Sequence, residues 1–174
     1  MARQGPLPMA PAGAYLAGPR LLHMGKRDDE FRTAIHEAAH IITARELNVP
    51  VLAAHVGIRR GWTKFSTVDA AWEHSGDYRS GDTRAIAGAE IMITMAGGIG
   101  EELHGESGRV NEGDEMLIDS LRREFSVPDI RMKKLERRTR SLLLANWGNV
   151  IRIAGALLDR GTLMRSEIET ILGR

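Results

Sequence analysis

The residues best equipped for chemistry are His36-Glu37-Ala38-Ala39-His40. On an α-helix, positions i and i+4 lie nearly above one another, so both imidazoles can reach one metal ion. Glu37 then sits beside the pair, close to a water on the metal without being a ligand. Zinc (Zn2+) lowers the pKa of such a water to about 7. Glu37 would act as general base, taking the water's proton and handing it to the leaving amine of a peptide bond. The plainer alternative is a surface histidine pair around a solvated glutamate. Ile35, Ala38, Ala39, Ile41 and Ile42 speak against it. They make the stretch apolar enough to be buried, and buried His and Glu need partners.

A catalytic zinc site keeps three protein ligands and one open position. The chain has no cysteine, so a thiolate ligand is excluded. Asp114, Asp119, Glu101, Glu102 and His104 are the candidates for the third ligand. Asp114 follows a glycine-containing loop and is expected to open a helix, where a carboxylate can aim at a neighbouring site. Helix capping would explain an aspartate there equally well. His23, His55 and His74 fall in the tail or in extended and loop segments and are not expected to bind metal. His104 ends a helix, where a cation suits the dipole.

These residues must be positioned by a mainly helical scaffold. Apolar residues make up 43% of the 174, but aromatics only 5%, and Ala, Leu, Ile and Met dominate. That balance favours helix packing over a β-sandwich. Residues 1–27, rich in Pro, Gly and Ala, read as a flexible tail, and 28–174 as one domain. Asp28 and Asp29 should start a helix that runs to about Leu47 and carries the histidines. Val51 to Val68 reads as a short hairpin or small sheet, and 70–80 as loop. Asp82 and Thr83 should cap a helix to about His104, in which Ala96, Gly97 and Gly98 allow another helix to approach closely. Further helices are expected over 114–125, 129–146, 150–158 and 167–172, with Gly148 interrupting the long pair and Ser166 capping the last. The fold class is mainly α with a small β element.

With a net charge of +1, bulk charge gives no attraction to nucleic acid. Acidic residues interleave with the basic stretch Arg131–Arg140, as on a solvated helix face. No apolar run reaches the roughly 18–20 residues that span a bilayer. The proline-broken N-terminal segment makes a poor signal peptide, which points to a cytoplasmic protein.

Five segments in order resemble the peptidase domain of the FtsH-type membrane proteases. They are Thr33 to His40, the extended Val56 to Gly61, Ala96 to Glu106, Glu112-Gly113-Asp114, and Ala156 to Leu163 with Glu167-Ile168. The third is similar to that family's G-G-x-x-x-E-x-x-x-G-E helix, one residue shorter before Gly105. The resemblance spans roughly Asp28 to Leu172. It implies a zinc metalloendopeptidase with His36, His40 and Asp114 as metal ligands and Glu37 as general base. It further implies a polypeptide substrate, pairing along an exposed edge near Val56–Ile58, and Glu101 or Glu102 orienting a zinc histidine.

The sequence departs from the family at three places. Ala39 stands where the family has glycine, which crowds that helix face. The segment after the Asp114 helix is shortened. No G-x-x-x-x-G-K-[ST] loop is present, so the unfolding ATPase is missing. The peptidase then works alone on unfolded or flexible polypeptides, or with a separate ATPase partner or as a homo-oligomer. The alternative is a non-catalytic, zinc-stabilised binding or regulatory module on the same fold.

Overall fold

The computed structural model describes residues 20–57, 60–75, 82–105 and 111–173, with side chains from residue 28 onward except 72–75. Its elements run α1 (Arg20–Glu46), β1 (Val51–Val56), β2 (Gly61–Phe65), α2 (Val68–Ser75), α3 (Thr83–Leu103), α4 (Glu112–Glu124), α5 (Asp129–Ala145), α6 (Trp147–Arg160), β3 (Thr162–Met164) and α7 (Arg165–Leu172). The architecture is mainly α with one small three-stranded antiparallel sheet.

Helix α1 is the element on which the others assemble: α3, α5, α6, β1 and β2 all pack against it. Every residue from Ala34 to Ala44 is buried. A helix apolar on all sides belongs in a core rather than at its surface, and here the expected single stripe has become a full circumference. The helix ends as anticipated. Asn48 takes a left-handed φ of 58°, Val49 N–H returns to the Ala44 carbonyl at 2.8 Å, and Pro50 follows. Its start is earlier than expected. The chain is already helical at Arg20, so Asp28 and Asp29 lie inside α1. Leu21, Leu22, Met24, Lys26 and Arg27 are good helix formers, and a single Gly25 does not outweigh them. Of the segment read as a tail, residues 1–19 lie outside the described residues.

The sheet order is β2-β1-β3. Strand β1 pairs with β2 through Ala54↔Thr63 and Val56↔Gly61, and with β3 through Ala54↔Leu163. The third strand was not foreseen; three residues after Gly161 leave little period-2 signal. It corrects the expected substrate edge, because β1 is the central strand, hydrogen-bonded on both sides, and Ile58 lies outside the described residues. The free edge near the histidine helix belongs to β2. The segment expected as extended to Val68 and then loop is helix α2 from Val68, with Val68 and Ala71 buried. Residues 76–81 lie outside the description.

Helix α3 begins as expected, with Asp82 Oδ1 accepting from Arg84 and Ala85 N–H. Helix α4 starts two residues before Asp114. Asn111 caps it by accepting from Gly113 N–H, so Asp114 is the third helical residue rather than the first. The expected loop at 111–113 is its first turn. Helices α5 and α6 meet at Asn146 with a bend of 75°, and Gly148 lies inside α6 instead of breaking it. Helix α7 is opened at Met164, whose N–H is accepted by Glu167 Oε2 at 2.9 Å, and not by Ser166. Among the described residues no single helix is long and apolar enough to cross a membrane.

Among the described elements helix α4 packs its backbone against α3, and it buries only Leu121 among its side chains. Segments with few buried apolar contacts open more easily than the core. In the metal-free protein, amides of Leu117–Leu121 should exchange with solvent at least about tenfold faster than those of Ile35–Ile42. Equal protection in a hydrogen-exchange experiment would show that α4 opens only with the whole domain.

Candidate metal centre

His36, Glu37 and His40 are buried, with relative exposures of 4%, 4% and 7%. Polar groups so deep in an apolar helix require partners, and each has one. His36 Nδ1 lies 2.8 Å from Glu101 Oε1 on α3, and Arg32 Nε sits 3.1 Å from the other oxygen of that carboxylate. His40 Nδ1 lies 2.7 Å from the Ile93 carbonyl, also on α3, which can only accept. Thr63 Oγ1 on β2 donates to Glu37 Oε2 at 2.7 Å.

These bonds orient the rings. With Nδ1 turned outward on both, the Nε2 atoms face one another 3.0 Å apart. Asp114 Oδ2 closes the group, 3.0 Å from His36 Nε2 and 3.5 Å from His40 Nε2. Among the described residues this is the group whose ligand atoms converge, all within 4.8 Å of one another. Asp114 Oδ2 is buried against the two Nε2 atoms. Two imidazole nitrogens and one carboxylate oxygen turned toward a common point form an arrangement that a divalent cation fits, and such a donor set suits zinc.

In the metal-free protein a proton answers part of that demand. Burial disfavours a charged His36, but hydrogen bonding to Asp114 and Glu101 and the nearby Glu37 charge outweigh it and push the pKa up to about 9. Burial likewise works against ionised Asp114, but its contacts with His36 and His40 dominate and hold its carboxyl well below the usual range.

Small residues make the room. A Cβ on Gly97 would fall 2.4 Å from the His36 ring, and one on Gly61 would fall 2.4 Å from Glu37 Oε1. On Gly100 it would meet the Ala39 Cβ at 2.7 Å. Gly100 thus makes room for the Ala39 methyl group on the facing helix. Gly98, expected to share in close helix approach, has nothing within 4 Å.

The other candidate ligands stand apart. Glu101 supports His36 from behind, as one of the two glutamates was expected to. Glu102 pairs with Arg140, and Asp119 is exposed on α4 beyond the triad. His104 caps α3 and packs its ring against Phe31. His55 bonds Thr162 and stacks on Trp62. The side chains of His23 and His74 lie outside the description. Sequence reasoning missed Arg32, Thr63 and Asn111, whose carboxamide lies 3.3 Å from His36 Nε2. No spacing rule reaches them, because their roles depend on how separate elements pack. Compared with known proteins, the chain matches no family model and no curated protein.

Two tests follow from this geometry. Because the folded pKa of His36 exceeds its unfolded value near 6.5, its stabilisation is complete below about pH 6.5 and is lost as pH rises through about 9. NMR titration of metal-free protein should show one histidine titrating near pH 9, moving down in Asp114→Asn; if all histidines titrate near 6.5, the cluster is not formed. Gly97→Ala should cost about 1–3 kcal/mol through the clash with the His36 ring, whereas Gly98→Ala should be neutral or stabilising by up to about 1 kcal/mol. Paired thermal melts would show it, and equal melts would contradict the close approach.

Proposed function

We propose that the chain is a zinc-dependent metalloendopeptidase acting on unfolded or flexible polypeptides, with His36, His40 and Asp114 as ligands and Glu37 as general base. One observation carries the reading: three inward-facing donor atoms converge beside a buried, oriented glutamate. A zinc ion held there supplies Lewis acidity, making water nucleophilic near neutral pH and polarising a carbonyl.

The chain's own residues do the rest. Glu101 and the Ile93 carbonyl hold each histidine in the tautomer that leaves Nε2 free for metal. Thr63 fixes Glu37 through Oε2, which leaves Oε1 to take a proton from water and return it to the departing amine. Gly61 keeps the space beside that carboxylate open. Strand β2 carries both Gly61 and Thr63 and among the described residues has an unpaired outer edge, along which an extended polypeptide can add as a further strand. Such a mode selects for flexible segments. The FtsH-type resemblance supports the same assignment residue by residue. A separate ATPase or a homo-oligomer would extend the substrate range to folded proteins.

Against a purely binding or structural zinc module stands Glu37. A carboxylate 4% exposed is expensive to keep charged and adds nothing to a structural metal site. Elemental analysis of purified protein should find about one zinc per chain, with Asp114→Ala losing more of it than Asp119→Ala. Glu37→Gln should retain the metal and lose at least about 100-fold in casein hydrolysis. Zinc bound without hydrolysis in wild type would favour the module; undiminished turnover in Glu37→Gln would refute the assigned base.

A further inference from the structure

Asp114 belongs to two places at once. Besides the metal triad, it lines a cleft of about 600 Å3 between α3, α4 and α5. That volume is in the range of pockets that bury a small ligand. Its apolar walls come from Met95, Ile99, Ile118 and Met132, and Gly98 leaves its α3 side open. Among the described residues its charged groups are all of one sign: Asp114, Glu102, Glu115, Asp119 and Glu136 line it.

The carboxylates are not equally neutralised. Arg140 reaches Glu102 and lies 3.9 Å from Glu136. Glu115 and Asp119 make no ion pair among the described residues. They stand four apart on α4, a spacing at which like charges repel and cost helix stability. A cation between them would remove that cost. The methionine and isoleucine walls accept a methylene stem, since long basic side chains bury their stems and keep the charged head at a polar rim.

We propose that this cleft is a subsite for an arginine or lysine side chain of the polypeptide, adjoining the scissile bond through Asp114. The assignment to a substrate residue rests on the peptidase reading above; the cation preference of the cleft rests on its own lining. Glu115 and Asp119 are its specificity-determining residues, and Met95 and Met132 its packing walls. Guanidinium offers a planar fork of five donors that a carboxylate accepts bidentately, so arginine should exceed lysine.

The test separates the two readings. Zinc-loaded protein with 13C-methyl methionine is titrated with Nα-acetyl-arginine amide and with Nα-acetyl-norleucine amide, following the Met95 and Met132 methyl resonances. The expected result is at least about tenfold tighter binding of the arginine compound, falling below about twofold in Glu115→Gln/Asp119→Asn. Equal binding of both compounds, no shift of either methyl, or a preference that survives the double variant would overturn the subsite, whatever the hydrolytic activity. Cut sites in casein digested by the wild type, read by mass spectrometry, then address its placement: Arg or Lys enriched beside the scissile bond supports it, and cuts without that enrichment overturn it while leaving the peptidase reading standing. Absence of any cuts would instead count against the peptidase reading, and the methyl titration would still decide the cation site.

Discussion

The structure turns on the cost of placing two imidazoles and a carboxylate inside a helix that is otherwise buried on every side. Ala34 to Ala44 is buried throughout, so bulk water alone cannot satisfy His36, Glu37 and His40. An unpaired buried polar group costs about 1–3 kcal/mol, and more when charged. Three neighbours therefore have to bring a partner to α1: α3 brings Glu101 and the Ile93 carbonyl, β2 brings Thr63, and α4 brings Asp114. The packing of the domain around α1 and the orientation of the site are one problem with one solution. Glu101 shows how closely they are joined. Removing it would leave both Arg32 and the His36 ring without their carboxylate, and breaking such a buried pair typically costs about 3–5 kcal/mol.

Close approach is the second half of that solution. Hydrogen bonds of 2.7–2.8 Å between α1 and α3 require their backbones to come near each other. The facing residues are correspondingly small: Ala39 against Gly100, and Gly97 beneath the His36 ring. With a methyl group at Ala39 on one helix, the facing Gly100 on the other leaves the room that this separation needs.

Much of this was legible because its signals are local. The H-E-x-x-H spacing, the Asp82 cap, the Asn48-Pro50 stop and the apolar content of α1 each depend on residues a few positions apart. The helices over 83–103 and 129–145 followed from periodicity. What escaped depends on residues far apart. A three-residue strand such as β3 exists only because β1 is there to pair with it, and its presence moved the free edge from β1 to β2. Thr63 lies 26 positions from Glu37, and Asn111 lies 75 from His36. The early start of α1 had the opposite cause, because the prolines further upstream obscured a run of good helix formers. Asp114 was among the candidates on chemistry alone, but its position explained helix capping equally well; only the packing shows that it reaches the histidines while Asp119, five residues along the same helix, does not.

The position of Asp114 has a mechanical consequence. Among the described elements helix α4 packs its backbone against α3, and Asp114 links it to the two histidines of α1. A cation shared by these three residues ties a sparsely buried helix to the buried stretch of α1. The same helix supplies Glu115, Ile118 and Asp119 to the wall of the adjoining cleft. Whatever fixes Asp114 in place also fixes that wall, because all four residues ride on one helical rod. Binding energy at the metal is in this way converted into order in the cleft, and a ligand that steadies the cleft should in turn favour the metal-bound arrangement, as reciprocity between coupled sites requires.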